Sequence, residues 1–368
     1  LQEGATTVVE PGWRAEGRDG SICLRRIETV AARDFDIKSP ADIEIANRRF
    51  LSICREMGIV LQHTAVSVNV KERRDYSCAI FDVEGQLVAN GPHMPVHLGS
   101  MGQSVRRVLE VHRASMVPGD AFLDNDPAHG GTHLPDLTVV TPLWRDGELQ
   151  YLVASRAHHA DIGGTTPGSM PADSTSLDEE GVVFDAALLM RQGVMLEEKV
   201  LQDLSSARFP ARRPDVNIED LRAQIAANAR GADLLDEMRQ SYGDCLQAAM
   251  DVVRVNASAC VKEVIRSLEP GRARIEMDGG DVVAVSLQPM GDYLVIDFEG
   301  TSSQMRNNLN APQAVVRAAV LYALRCLVAD DLPLNDGCLD PVEIRIPKGS
   351  VLSPAPGAAV VGGNVETS

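Results

Sequence analysis

The sequence predicts an α+β protein with mixed, largely antiparallel sheets, packed helices and a central αα-hairpin. Three observations carry this. Short β-branched runs separated by Gly-containing turns recur through the first 160 residues, two long stretches of three-and-four apolar spacing occupy 217–269, and strands and a helix are mixed after 270.

Residues 5–27 hold the β-rich runs TTVVE and SICLRRI around Pro11-Gly12 and Asp19-Gly20 turns, like the last hairpin of a preceding module, and a polar linker follows. Ser39-Pro40-Ala41-Asp42 is a capping-box pattern with proline at the first helical position. Ile43, Ala46, Phe50, Cys54 and Met57 then mark one apolar face, and Gly58 is expected to stop the helix. Strands are expected at 65–71, 78–83 and 86–89, the last two joined at Glu84-Gly85, and a helix from Ser100 to His112. Asn217 is a plausible N-cap for a helix carrying Leu221, Ile225, Ala232, Leu235, Met238 and Tyr242. After Gly243 a second helix carries Leu246, Ala249, Val253, Ala257, Cys260, Val264 and Leu268, and Glu269-Pro270-Gly271 ends it. Strands at 272–277, 282–287, 292–298 and 341–346 and a helix over 311–329 complete the pattern.

The chain has 368 residues, 44% of them apolar, enough for a substantial core. A formal charge of −17 with 4% aromatic residues argues against nucleic acid or an anionic membrane surface as partner, since both need a basic face. Seven scattered cysteines without CxxC spacing suggest neither a disulfide framework nor a zinc knuckle, and a reducing cytoplasm is the expected compartment. No apolar run reaches membrane-spanning length, because Arg317 and Arg325 interrupt the longest.

All eight histidines lie between His63 and His159, densest in NDPAHGGTHLPD (125–136) and RAHHADIGG (156–164). Imidazoles beside carboxylates and glycines, in segments too polar for a core, suit a divalent metal. Residues 137–144 and 148–155 read as an antiparallel hairpin turning at Arg145-Asp146-Gly147, so its strand ends meet. Pairing about residue 146 puts Asp136 opposite roughly residue 156 and brings His133 beside the His158-His159 pair. His133, Asp136 and His158 are therefore the predicted ligands, and they leave coordination positions open as a catalytic metal requires. Asp126 and Asp161 are candidates for a fourth ligand, an orienting partner of an imidazole, or a general base. Gly130, Gly131, Gly163 and Gly164 permit tight backbone turns close to a ligand.

Most loop histidines merely hydrogen-bond backbone, and singly these would be read that way; three candidates converging on one hairpin mouth favour a metal. Successive strand residues face opposite sides, so His158 is chosen over His159. His93 and His97 could line the same cleft or serve a loop and helix start. His63, His112 and His129 carry no comparable signal. Ser169 and Cys78 read as structural, and the acidic turn around Glu179 and Glu180 reads as solvated. The chain offers no GxxxxGK[ST] and no GxGxxG after a strand.

The runs DYSCAIFDVEGQLVANG, PVHLGSMG, LDNDPAHGGTHLPDLTVV, RAHHADIGGTTPGSMP and AAVVGGNVETS resemble the hydantoinase B/5-oxoprolinase family over residues 36–368. Residues 1–27, with TTVVEPGW, resemble the end of the partner hydantoinase A module, so the chain is expected to straddle a module junction and to lack the C-terminal part of the B module. The expected organisation is a β-rich tail at 1–27, an α+β metal-site region at 36–205, a helical hairpin at 217–269 and a second α+β region at 270–368.

The resemblance implies an ATP-dependent ring-opening amidohydrolase. The A module binds ATP and phosphorylates the lactam oxygen of 5-oxoproline or a hydantoin, and the B module hydrolyses the activated ring. In related acetone and acetophenone carboxylases a B-like subunit holds a metal in a similar motif, which maps here onto His133, Asp136 and His158. Within that implication Asp161, His159 and Asp126 are the expected acid–base residues, and the amides of Gly130, Gly131, Gly163 and Gly164 are expected to hold a phosphate or oxyanion. The expected partners are an A-like module, a small cyclic amide and further copies of the chain. An ATP-dependent carboxylase half, a non-catalytic assembly segment and a 2-His-1-carboxylate iron oxygenase are the alternatives; for the last, the His133-to-Asp136 spacing is one residue too long. The segment alone is expected to be inactive.

Overall fold

The computed structural model describes residues 9, 12–18, 21–27, 36, 38–97, 99–243, 245–328 and 334–367. The expected strand TTVVE and the polar linker fall almost wholly outside them. The architecture is α+β. An exposed hairpin of β1 (Trp13–Arg18) and β2 (Ser21–Arg26) comes first, followed by α1 (Pro40–Thr64), α2 (Val68–Lys71), β3 (Tyr76–Phe81), β4 (Leu87–Asn90) and α3 (Met101–His112). Strands β5 (Ala121–Asp124), β6 (Asp136–Arg145), β7 (Glu148–His158), β8 (Ala187–Arg191) and β9 (Val194–Met195) lead to α4 (Glu197–Ser206), α5 (Pro214–Tyr242) and α6 (Cys245–Ser267). The chain continues through β10 (Gly271–Glu276), β11 (Val282–Met290), β12 (Tyr293–Asp297), α7 (Gln313–Leu327), β13 (Val342–Arg345) and α8 (Gly363–Glu366).

Seven strands form an antiparallel sheet in the order β4-β3-β7-β6-β5-β8-β9. Its central strands alternate in the two-residue period of a sheet buried on both sides. Cys78, Ile80, Val153 and Ala157 face α1, α5 and α6, whereas Ala79, Phe81, Leu152 and Ala154 face α3. Phe50, wholly buried on α1, is typical of the first layer; burying such a side chain contributes about 1.5–3 kcal/mol. The second sheet, β10-β11-β12-β13, is antiparallel except for the β12–β13 pair and packs with α7 and the end of α6.

Several expectations change on contact with the structure. Gly58 does not end α1, which runs on to Thr64. A Cβ there would lie 2.7 Å from His93 Nε2, so glycine serves close packing within the helix. Residues 65–71 are not a strand: Val66 and Val68 are exposed, Ser67 caps α2, and Asp220 accepts the amides of Val66 and Ser67. Helix α5 begins at Pro214, so Asn217 is a buried residue of its first turn and not its cap. Helices α5 and α6 meet at Gly243, where φ is 56°, and both pack against α1. Strands β5, β8 and β9 were not anticipated. The Gln192-Gly193 turn, with φ of 49° and 86°, was the available signal for the last two.

Glu180 is likewise not solvated. It is fully buried and accepts hydrogen bonds from Ser174 Oγ and from the amides of Val360 and Val361, fastening the closing segment. Burial pushes its carboxyl up to about 7, and burial does the same to Asp124. An acid whose folded pKa exceeds its unfolded value gives the native state extra proton uptake, so its contribution to stability grows as pH falls from about 7 and is lost as pH rises through about 7. Urea midpoints at pH 5.5 and pH 8 should therefore differ less in Glu180→Gln than in the parent; an unchanged difference would contradict this role.

Candidate metal centre

The β6–β7 hairpin builds the centre. Its two-residue turn is Asp146-Gly147, with positive φ at both positions (49° and 83°), and Arg145 pairs with Glu148. A register shift between Leu143 and Trp144 adds one residue to β7, so Asp136 stands directly opposite His158. This corrects the expected partner near residue 156: neither the exact turn centre nor the bulge was visible in the sequence. His133 comes from the loop before β6, closed back by a hydrogen bond from Asp136 N to its carbonyl.

The ligating atoms of His133, Asp136 and His158 lie within 4.8 Å of one another. Asp136 Oδ2 is 3.2 Å from His133 Nδ1, and Oδ1 is 3.3 Å from His158 Nδ1. The imidazole centroids are 4.9 Å apart. Asp136 is 1% exposed, yet Oδ1 has no hydrogen-bond partner among the described residues: His158 is near but not aligned to donate. A carboxylate flanked by two imidazoles, with its buried oxygen beside His158 left open, fits a divalent cation, and this mixed donor set suits zinc or another first-row metal.

Three residues not singled out from the sequence as members complete the surroundings. His97, left open as a possible cleft residue, sits in the 3₁₀ turn Pro95–His97 and bridges Asp136 Oδ2 (3.0 Å) to Ser77 Oγ (2.9 Å). Thr132 also donates to Oδ2. Asp75 was missed: its carboxylate, at the partly exposed rim, lies 3.8 Å from His158 Nδ1, and its carbonyl accepts the His158 amide. Its place one strand over, beside His158, was hidden until β3 was paired with β7.

Burial raises the Asp136 carboxyl, but the charges of His133 and His97 and its contacts with His133 and His158 outweigh this and hold it well below the ordinary carboxylate range. Burial lowers His133 despite Asp136, whereas for His158 the neighbouring Asp136 and Asp75 outweigh burial and raise it. Near neutral pH the centre thus offers an ionised carboxylate and a neutral His133, the forms that bind cations.

The expected acid–base residues stand elsewhere. His159 faces α5, where Asn217 Nδ2 reaches its Nδ1 (3.0 Å) and its Nε2 reaches Gln224 Oε1 (3.1 Å), so both ring nitrogens are engaged away from the centre. Asp161 accepts from the amides of Gly163, Gly168 and Arg212 and pairs with Arg212 at 2.8 Å, making it a loop clamp. Asp126 pairs with His129 and lines a separate cavity of about 870 Å³. Asp126, His129 and nearby Asp185 form a second cluster, but Arg107 already takes both oxygens of Asp185 at 2.7 Å. The glycines serve backbone packing: the amides of Gly131, Gly163 and Gly164 are already donated within the chain. A Cβ at Gly130, Gly131, Gly163 or Gly164 would come 2.4, 2.1, 2.2 or 2.8 Å from neighbouring backbone. Ser169, bonded to Ile162 N and Gly163 O, and Cys78, buried with its thiol pushed up, are structural as read. None of the seven cysteines is joined in a disulfide, and no helix among the described residues is long and apolar enough to cross a membrane.

The family model described as Hydantoinase B/oxoprolinase matches residues 39–368. The chain belongs to this family. It is 45% identical to 5-oxoprolinase 1 of Arabidopsis thaliana over 100% of its own length and 31% of that protein, and 44% identical to 5-oxoprolinase of Saccharomyces cerevisiae over 99% and 30%. It thus spans about a third of these oxoprolinases. The fold is shared with an ATP-dependent caprolactamase from Pseudomonas jessenii, at a TM-score of 0.78 and 24% identity over 88% of this chain and 57% of that one. It is shared too with a nucleotide-free acetone carboxylase, at 0.77 and 18% over 89% and 46%.

Elemental analysis of the purified protein should find a divalent metal that is lost in the His133→Ala/His158→Ala double variant. Equal metal content in both would remove the centre.

Proposed function

We propose that this chain is the hydrolytic, B-type half of an ATP-dependent cyclic-amide amidohydrolase, acting on 5-oxoproline or a hydantoin after an A-type module has phosphorylated the ring. The supporting observation is the convergence of His133, Asp136 and His158 around an open carboxylate oxygen, in a chain 45% and 44% identical to proteins named as 5-oxoprolinases. A divalent cation held by these three residues supplies Lewis acidity toward the activated carbon–oxygen group and the attacking water.

The chain's own residues account for the rest. His97 and Thr132 hold Asp136 Oδ2, which keeps Oδ1 turned to His158. Asp75 replaces Asp161, His159 and Asp126 as the acid–base residue: it is the carboxylate at the mouth, partly exposed and 3.8 Å from His158, placed to take a proton from water. Nucleotide binding is assigned to the A module, and activity to the assembled polypeptide.

The full-length polypeptide supplied with 5-oxoproline or a hydantoin should release ADP and the ring-opened product together, and Asp75→Asn should lower kcat by roughly 10²–10⁴-fold. Ring opening without ATP contradicts the proposal, and fixation of labelled bicarbonate into a ketone would replace it with a carboxylase.

A further inference from the structure

The largest wholly buried side chain among the described residues is Arg156, on β7 two residues before His158. Strand alternation puts it on the same face as His158, the face covered by α3. Register makes it the centre of a row running across four strands: Asp124 on β5, Thr138 on β6, Arg156 on β7 and Ser77 on β3. The adjoining row on the same face is Asp136 and His158. Arg156 therefore stands one row along from the centre on the same face.

Its hydrogen bonds run to the segments that carry the centre. Nε donates to Thr138 Oγ1 at 2.7 Å, fixing β6 two residues beyond Asp136. One Nη2 bond, at 3.0 Å, goes to the carbonyl of Gly130, in the loop that presents Thr132 and His133; a second, at 3.1 Å, goes to Ser104 Oγ on α3. Nη1 donates to Ser100 Oγ at 2.7 Å, and Ser100 Oγ in turn reaches the carbonyls of Val96 and His97, fixing the turn that places His97 against Asp136. Every partner is a neutral oxygen, and no carboxylate among the described residues lies within ion-pair distance of this guanidinium. The charges of Asp136 and Asp124 favour the cation from farther off, but burial outweighs them, a cost that an apolar side chain of similar volume would avoid. What the guanidinium supplies is direction. A planar fork with donors at fixed angles holds several segments at set separations, which an ammonium cannot do.

We infer that Arg156 is a positioning residue of the His133–Asp136–His158 centre, its guanidinium setting the spacing of the four segments that bring His97, His133, Asp136 and His158 together. The inference rests on the reading of this cluster as a cation centre.

The test is the affinity of the full-length polypeptide for Zn²⁺ and Mn²⁺, measured by equilibrium dialysis well below the unfolding temperature, with the fold monitored by circular dichroism. Arg156→Met should raise Kd by roughly 10–100-fold, and Arg156→Lys, which keeps the charge and loses the fork, should not restore it. Thr138→Val removes one acceptor at nearly constant shape and keeps the test decisive should Arg156→Met fail to fold; it should raise Kd in the same direction. A lower unfolding midpoint with parental Kd in Arg156→Met, or in Thr138→Val where only that variant folds, would make Arg156 a fold residue only and overturn the inference. Parental Kd in Arg156→Lys would overturn it too, by showing that charge suffices. Failure of the parent protein to bind either ion would instead remove the cation centre, and the inference with it.

Discussion

The register of the β6–β7 hairpin is the constraint on which the centre depends. The Asp146-Gly147 turn fixes the pairing at one end and the irregularity at Leu143–Trp144 shifts it by one residue, and together they set Asp136 opposite His158. Because side chains alternate faces, a slip of one residue would turn His159 to the centre and His158 into the α5 interface. That interface is itself specific. His159 is held between Asn217 and Gln224, and Gln224 donates to the carbonyls of Leu137 and Ser155, one on each strand of the hairpin. Helix α5 thus reads the register from one side of the sheet while Arg156 reads it from the other.

This two-sided fixing explains how a carboxylate can be left with an open oxygen in a buried site. Asp136 stays charged because imidazoles surround it and His97 and Thr132 satisfy Oδ2, so only Oδ1 is uncommitted. Such an atom is costly unless something binds it.

The helices with clear apolar faces, the strands of the second sheet and the central hairpin were legible in the sequence, because three-and-four spacing, alternation and an Asp-Gly turn each have one dominant structural meaning. The convergence of His133, Asp136 and His158 was legible for the same reason: hairpin ends must meet. Other parts depended on contacts distant in sequence. Asp75 and His97 join the centre only through the pairing of β3 with β7 and the packing of the Pro95–His97 turn. Gly58 reads as a stop signal but is demanded by the His93 ring, and the glycine pairs at 130–131 and 163–164 read as a ligand cradle but are demanded by neighbouring backbone. Asp161 and Glu180 looked like free acids, since nothing local reveals that Arg212 or the amides of Val360 and Val361 arrive to claim them.

The chain belongs to the hydantoinase B/oxoprolinase family and shares its fold with parts of two larger proteins. In the proposed function this hairpin mouth holds a cation through two imidazoles and one carboxylate. X-ray absorption spectroscopy on the metal-loaded full-length protein should then show a light-atom shell with the multiple-scattering signature of two histidines, reduced to one in His158→Ala; an unchanged spectrum in that variant would rule the centre out.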